Sequence, residues 1–191
     1  MRSHFFAYIS RMRFISRWAL MRNTAPENVQ EHSHETAVLA HALAVIRNRV
    51  FGGRVDPGAV AAAALYHDAS EIITGDLPTP IKYCNPVIRD AYKEVEDAAG
   101  GKLLSMLPPE LQPDFEPLLN IRDPQTRELV KAADKLSAYI KCVEEVKAGN
   151  GEFRDAAAQT RAALEAYRLP EVGYFLETFM PSFSLTLDEL K

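Results

Sequence analysis

Apolar residues along this chain recur at helical intervals and almost never alternate. Phe5, Tyr8, Ile9, Met12 and Ile15 share one helical face. That predicts a first helix over about His4 to Trp18. Thr24-Ala25-Pro26-Glu27 reads as a capping box with proline in the first turn. It opens a second helix to about Asn48, with Val38, Ala42, Val45 and Ile46 on one stripe. Phe51-Gly52-Gly53 is a turn. Asp56-Pro57-Gly58 starts a third helix that stops at Gly75, a natural C′ residue. Leu77 to Pro86 is a stiff, proline-rich loop.

Pro86 to Leu107 is helical again, weakened at Gly100-Gly101, and Pro108-Pro109 opens a short helix. Asp123-Pro124 caps a long helix ending near Gly149-Asn150-Gly151. Residues 152–168 form a further amphipathic helix, and the tail with Pro170, Pro181 and Leu185 to Leu190 holds short helical turns. No stretch has the alternation of a strand. The pattern predicts an all-α, compact helical bundle with residues 1–191 as one domain, a size that suits ~100–200 residues per domain.

Composition narrows the functional classes. A hydrophobic share of 47% supports a substantial core, and the net charge is −4. No global positive field attracts a polyanion, so the sequence predicts no generic nucleic-acid partner. A small anionic substrate stays open, because only local charge matters there. The longest apolar run, Ala59 to Tyr66, is far short of the ~20 residues of a membrane span, so no membrane partner is expected. Cys84 and Cys142 are distant and outside a CxxC, which fits free thiols in a reducing cytosol. The first 26 residues hold Arg2, Arg11, Arg13, Arg17 and Arg22 and no acid. That could be an organellar leader. The helical face and Trp18, the only tryptophan, favour a first helix of the domain.

Candidate chemistry gathers in LYHDASEIITGDLPTP, residues 65–80. His67 and Asp68 are adjacent, so on a helix they point ~100° apart. They can hold one ion only at the edge between their directions. Neutral His and Asp both suit divalent transition metals. Glu71 shares their face and could reach a water held by that ion. A core histidine bonded to a backbone carbonyl, with solvated Asp68 and Glu71, accounts for this dipeptide at least as well. His32 lies in Glu31-His32-Ser33-His34 on the preceding helix. Asp134 flanks an apolar face near Val130 and Ala138, where a weak surface pair with Lys131 is the ordinary explanation. His34 diverges from His32, and His41, set among alanines, reads as a core histidine. Lys82 and Lys135 read as solvated lysines.

The order His32, His67-Asp68, Asp134 on successive helical segments resembles the HD-domain metal-dependent phosphohydrolases. SHFFAYISRMRFISRWALMRN, ENVQEHS, LYHDASEIITGDLPTPIKY and PSFSLTLDEL are similar, in order, to the YfbR-type 5′-deoxynucleotidases over nearly the whole chain. The resemblance implies one divalent ion (Co, Mn, Zn or Cu) held by His32, His67, Asp68 and Asp134. It implies a phosphate-orienting Arg17 beside Trp18, and Glu71 as an acid–base group that either activates water or protonates the departing 5′ oxygen. Asp76 would accept from the sugar 3′-hydroxyl in a substrate loop with Leu77, Pro78 and Thr79, while His32 and Asp134 would also border the substrate. The implied reaction is hydrolysis of deoxyribonucleoside 5′-monophosphates to deoxyribonucleoside and phosphate, by a cytoplasmic homodimer. Two alternatives remain at this point: an HD-type hydrolase of a cyclic nucleotide, triphosphate or alarmone, and a helical binding protein with a structural metal.

Overall fold

The computed structural model describes residues 2–82 and 84–191. Tyr83, within the predicted proline-rich loop, and Met1 lie outside them. Among the described residues ten α-helices follow one another: α1 Phe5–Ile9, α2 Val29–Phe51, α3 Pro57–Tyr66, α4 Glu71–Thr74, α5 Thr79–Lys82, α6 Pro86–Ser105, α7 Gln112–Leu119, α8 Pro124–Lys147, α9 Arg154–Ala166 and α10 Pro170–Thr178. Short 3₁₀ turns cover Ser10–Phe14, Gly151–Phe153, Met180–Ser184 and Leu187–Glu189. Among the described residues the only extended pairing is an isolated antiparallel bridge between Ser16 and Asn28. The all-α architecture is as the sequence predicts.

The central helices are α2 and α8. They pack on each other, α3 packs on both, α9 lies on α8 and α10 on α2. Leu43, Ala44, Ala64, Leu129, Ala133, Leu136 and Leu164 fill the space between them. Alanines dominate the α2–α3–α8 contact, and small side chains let helices approach closely. A second cluster of Phe5, Ala69, Leu103 and Leu107 fastens the N-terminal helix to α6, with Tyr66 and Phe115 packed against it. The Phe5–Phe115 rings meet edge to face at 5.3 Å, the arrangement that aromatic quadrupoles favour.

Several boundaries move for identifiable reasons. The capping box of α2 is Asn28 with Glu31: Asn28 Oδ1 accepts from the Gln30 and Glu31 amides at 3.0 Å each, and Glu31 accepts from the Asn28 amide at 3.2 Å. Thr24, predicted as that cap, is drawn elsewhere. Its hydroxyl donates to the buried Glu145 at 2.6 Å, and the Thr24 and Ala25 amides donate to the same carboxylate. Glu145 is 1% exposed, so its charge must be fully partnered, and the 24–25 turn supplies those donors along with Lys141 and Asn150.

Val38, predicted on the core stripe of α2, is 56% exposed, whereas His32, Thr36, Ala40, Leu43 and Ala44 are buried. The buried face is therefore rotated toward the polar His32 and Thr36, which the periodicity of large apolar residues could not register. His41, predicted as core, is exposed on the opposite side of α2. The first helix ends at Ile9 and tightens into 3₁₀ geometry, yet Phe5 and Met12 are buried as the face predicted. The third helix does not run through to Gly75. It stops at Tyr66, and α4 begins only at Glu71.

Candidate active site

That interruption builds the site. Ala69, Glu71 and Ile72 donate three residues back, to Tyr66, Asp68 and Ala69. The chain thus turns tightly between α3 and α4, with His67 and Asp68 at the bend instead of on a continuous helix. Gly75, at φ 73° and ψ 162°, then reverses the chain into the 76–79 loop. This backbone region is essentially reserved for glycine. Tyr92 on α6 donates to the Gly75 carbonyl at 3.0 Å, and Lys82 pairs with Glu96 on α6 at 2.7 Å. Both ends of the loop that carries Asp76 and Thr79 are therefore tied to one helix.

His32 from α2, His67 and Asp68 from the bend, and Asp134 from α8 come together. His67 Nε2 is 3.1 Å from Asp68 Oδ2. His32 Nε2 is 3.5 Å from the same oxygen and 3.1 Å from Asp134 Oδ1. The ligand atoms of His32, His67 and Asp68 all lie within 4.8 Å of one another. Asp134 joins through its contact with His32 and stands outside that tightest group. The partner of Asp134 is thus His32, not Lys131.

The other ring nitrogens fix the tautomers. His67 Nδ1 donates to the Ala64 carbonyl at 2.7 Å. Its Nε2 is buried and faces Asp68 Oδ2 at 3.1 Å, where it can take either a proton or a metal ion. His32 Nδ1 meets Ser137 Oγ at 3.0 Å, and Ser137 gives its single proton to Glu35 Oε2 at 2.5 Å. With that proton committed to Glu35, Ser137 accepts from His32 Nδ1–H. His32 Nε2 then faces the carboxylates, with Thr36 Oγ1 at a marginal 3.5 Å.

Two imidazole nitrogens aimed at two carboxylates need positive charge among them, from protons or from a metal cation. A divalent ion fits this donor set, since imidazole nitrogen and carboxylate oxygen both suit first-row metals. Hydrogen bonds from the second ring nitrogen to a carbonyl or to a carboxylate-linked hydroxyl are the usual support of ligating histidines. Ser137→Ala is expected to weaken divalent-ion binding by about 10–100-fold while leaving the helical fold intact. Metal titration of the variant measures this, and parental affinity would deny the Glu35–Ser137–His32 chain its role.

The charges answer to the same requirement. Without an ion a proton takes its place at His67: burial opposes an imidazolium, but the adjacent Asp68 carboxylate outweighs burial and pushes the pKa up to about 9. Burial likewise opposes charge on Asp68, yet His67 and His32 bring it down to about 2. Asp134 is held well below the carboxylate range, burial being overcome chiefly by the neighbouring His32. Glu71 goes the other way. Burial, then Asp68 and Asp76, push it up to about 9 against the pull of Arg17 and Lys82.

Asp68, Glu71 and Asp134 line a cleft of about 710 Å³ together with Arg17, Trp18, Asp76, Leu77, Pro78 and Thr79, whereas His67 and His32, the latter expected to border substrate, are not among its lining residues. Arg17 Nη1 approaches Asp68 Oδ2 at 3.5 Å. The opposite wall is α9, through Ala156, Gln159, Thr160 and Ala163, together with Lys135. Sequence reasoning singles out none of the α9 residues, nor Glu35 and Ser137. Ser137 lies three residues after Asp134, a helical spacing that places it on the same side of α8, and that was the available signal.

A helical scaffold that gathers histidines and carboxylates beside a cleft has the architecture of a metal-site hydrolase. A family model of "5′-deoxynucleotidase YfbR-like" proteins matches residues 4–183. The 5′-deoxynucleotidase of Vibrio cholerae is 53% identical over 98% of both chains, and that of Photorhabdus laumondii is 54% identical over 98% of this chain and 96% of its own. The chain belongs to the YfbR-like 5′-deoxynucleotidase family. Its fold is shared by an HD-domain phosphohydrolase of Listeria innocua, 26% identical, with a TM-score of 0.83 over 94% of this chain and 88% of that one. The fold is also that of a cyanophage S-2L HD phosphohydrolase solved with dA and one catalytic Zn²⁺ ion. That protein is 21% identical, with a TM-score of 0.66 over 92% of this chain and 96% of that one.

Proposed function

We propose that this chain is a metal-dependent phosphomonoesterase that hydrolyses deoxyribonucleoside 5′-monophosphates to deoxyribonucleoside and phosphate. The observation that carries the reading is the convergence of two imidazole Nε2 atoms on Asp68 and Asp134, beside a cleft that also holds Arg17 and Glu71. His32, His67, Asp68 and Asp134 would hold one divalent ion, with Mn, Co, Zn and Cu all compatible with the donors. Such an ion supplies Lewis acidity toward a phosphoryl oxygen and makes water a better nucleophile near neutral pH.

The protein's own groups do the rest. A phosphate monoester carries between about −1.5 and −2 charges near pH 7. The planar fork of Arg17 can bind two of its oxygens at once and present phosphorus to the floor of the cleft. Glu71, buried beside this floor, keeps a proton that the departing 5′ oxygen needs. Asp76, at the start of the loop fastened to α6, accepts from the 3′-hydroxyl, and Leu77, Pro78 and Thr79 close the sugar side. Water attacks phosphorus directly, so no phosphoryl-enzyme forms.

Phosphate release from paired deoxyribo- and ribonucleoside 5′-monophosphates, screened across Mn, Co, Zn, Cu and Mg, tests this. Preferential release from the deoxy members is expected, with solvent ¹⁸O entering the phosphate. Equal turnover of the ribo members, or label in the nucleoside, would defeat the reading. A homodimer belongs to the same proposal, supported by the exposed Val87, Ala91 and Val95 along one face of α6. A cytoplasmic setting is supported by the free thiols of Cys84 and Cys142.

A further inference from the structure

One carboxylate outside the metal cluster holds two cleft residues at once. A single oxygen, Glu27 Oε2, accepts from Arg17 Nε at 3.1 Å and from Trp18 Nε1 at 2.8 Å. The Arg17 and Glu27 side chains are only 12% and 11% exposed. Their backbones are joined as well: the Arg17 amide donates to the Glu27 carbonyl at 3.0 Å, and the Val29 amide donates to the Ile15 carbonyl at 2.9 Å. Trp18 has φ 57°, a left-handed conformation that is uncommon for a bulky residue and has to be held by its surroundings. Glu27 itself directly precedes Asn28, the cap of the helix that carries His32.

We propose that Glu27 is the positioning residue of the phosphate clamp, setting the aim of Arg17 and the place of Trp18 relative to the His32 helix. The proposal rests on the reading of Arg17 as the group that orients phosphate. With Nε held by Glu27, rotation of the guanidinium is blocked and its two terminal nitrogens are left to face the cleft. Without Glu27, the fork is free to swing onto Asp68, whose Oδ2 already lies 3.5 Å from Nη1. It would then pair with a carboxylate of the site in place of substrate. Glu27 acts through Arg17 and Trp18 and does not itself line the cleft.

The acceptor role can be separated from the charge. In Glu27→Gln the amide oxygen can still accept both N–H bonds, because both go to one atom. In Glu27→Ala neither bond survives. Trp18 is the only tryptophan, so intrinsic fluorescence of the full chain reports its surroundings with no substrate added. Glu27→Ala is expected to shift the emission to the red and raise acrylamide quenching about twofold, while Glu27→Gln keeps the parental spectrum. With a deoxyribonucleoside 5′-monophosphate, Glu27→Ala is expected to lower kcat by about 10–100-fold, the size that a misplacement near 1 Å produces. KM should stay within about threefold, since the charge of Arg17 remains while its aim is lost. Glu27→Gln should stay within about threefold in both parameters.

Glu27→Asp, one methylene short of both donors, should move in the same direction as Glu27→Ala and decides the matter if the alanine chain does not fold. Parental emission and kcat in Glu27→Ala or Glu27→Asp would overturn the proposal. So would a loss in Glu27→Gln as large as that in Glu27→Ala. A parent chain that releases no phosphate from any deoxynucleotide would instead overturn the functional reading beneath it.

Discussion

Glu71→Gln lowers kcat for deoxyribonucleoside 5′-monophosphates by about 10²–10⁴, the span associated with a positioned acid–base group, and leaves metal binding as in the parent. Glu71 is 7% exposed, and its Oε2 is buried without a hydrogen-bond partner. An isolated buried carboxylate is costly, so the side chain retains its proton, and Asp68 and Asp76 reinforce this until its pKa reaches about 9. A carboxylic acid kept neutral near pH 7 can donate that proton to a leaving oxygen. Glutamine has nearly the same shape and no proton to give.

The same variant has a second, independent signature. The folded pKa of Glu71 lies above its ordinary 4.5, so its contribution to stability is fully present below about pH 4.5. It declines as pH rises toward 9, because the unfolded chain releases a proton that the folded chain keeps. The amide of the variant does not titrate. In chelator, the variant and parent should melt alike near pH 4, and the variant should pull ahead as pH rises. The gap is at most on the order of 3 kcal/mol at pH 7, or several degrees in Tm. Parental turnover in Glu71→Gln would remove Glu71 from the chemistry, and a Tm difference independent of pH would remove its retained proton.

Asp68→Asn is expected to have a larger effect on activity. Asp68 meets His67, His32 and Arg17 within 3.5 Å, so it would link the proposed metal site to the proposed phosphate clamp. An amide at this position offers a weaker donor to a cation and turns two hydrogens toward imidazole or guanidinium groups. Phosphate release should fall at least about 10³-fold, beyond the usual loss of one preorganised electrostatic contact. Chelation should reduce the parent to the same level. Added Mn²⁺ should restore the chelated parent but not the variant. Undiminished turnover in chelator would contradict a metal-dependent reaction.

The starts of α3, α6 and α8 were legible because each carries a local signal. Asp56-Pro57, Asn85-Pro86 and Asp123-Pro124 all cap as such pairs do, with the acid or amide side chain accepting from the first turn. Short-range rules failed where a distant group competed. Glu145 captured Thr24, and Arg17 with Trp18 captured Glu27, so the capping box moved to Asn28 and Glu31. The break between α3 and α4 was hidden because residues 65–74 hold no proline or glycine to mark it. What accompanies it is the packing of Ala69 against Phe5 and Leu103 and the bond of the His67 ring back to the Ala64 carbonyl.

At the site, His32 and Asp134 could be named only through family resemblance. Each lies far in sequence from His67, and single-helix periodicity carries no information about which faces of α2 and α8 meet. Glu27, Glu35 and Ser137 act through other residues, and their types are ordinary on helices. Only the folded chain gives them partners.

The most direct test of the account is the binding of Mn²⁺ to the purified, chelator-stripped chain, by equilibrium titration of the parent and of His32→Ala, His67→Ala, Asp68→Asn and Asp134→Asn. One ion per chain is predicted, with affinity at least tenfold weaker in every variant. Asp134→Asn is the most searching of them, because Asp134 reaches the cluster through His32. Parental affinity in that variant, or no stoichiometric ion in the parent, would contradict a centre built from these four side chains.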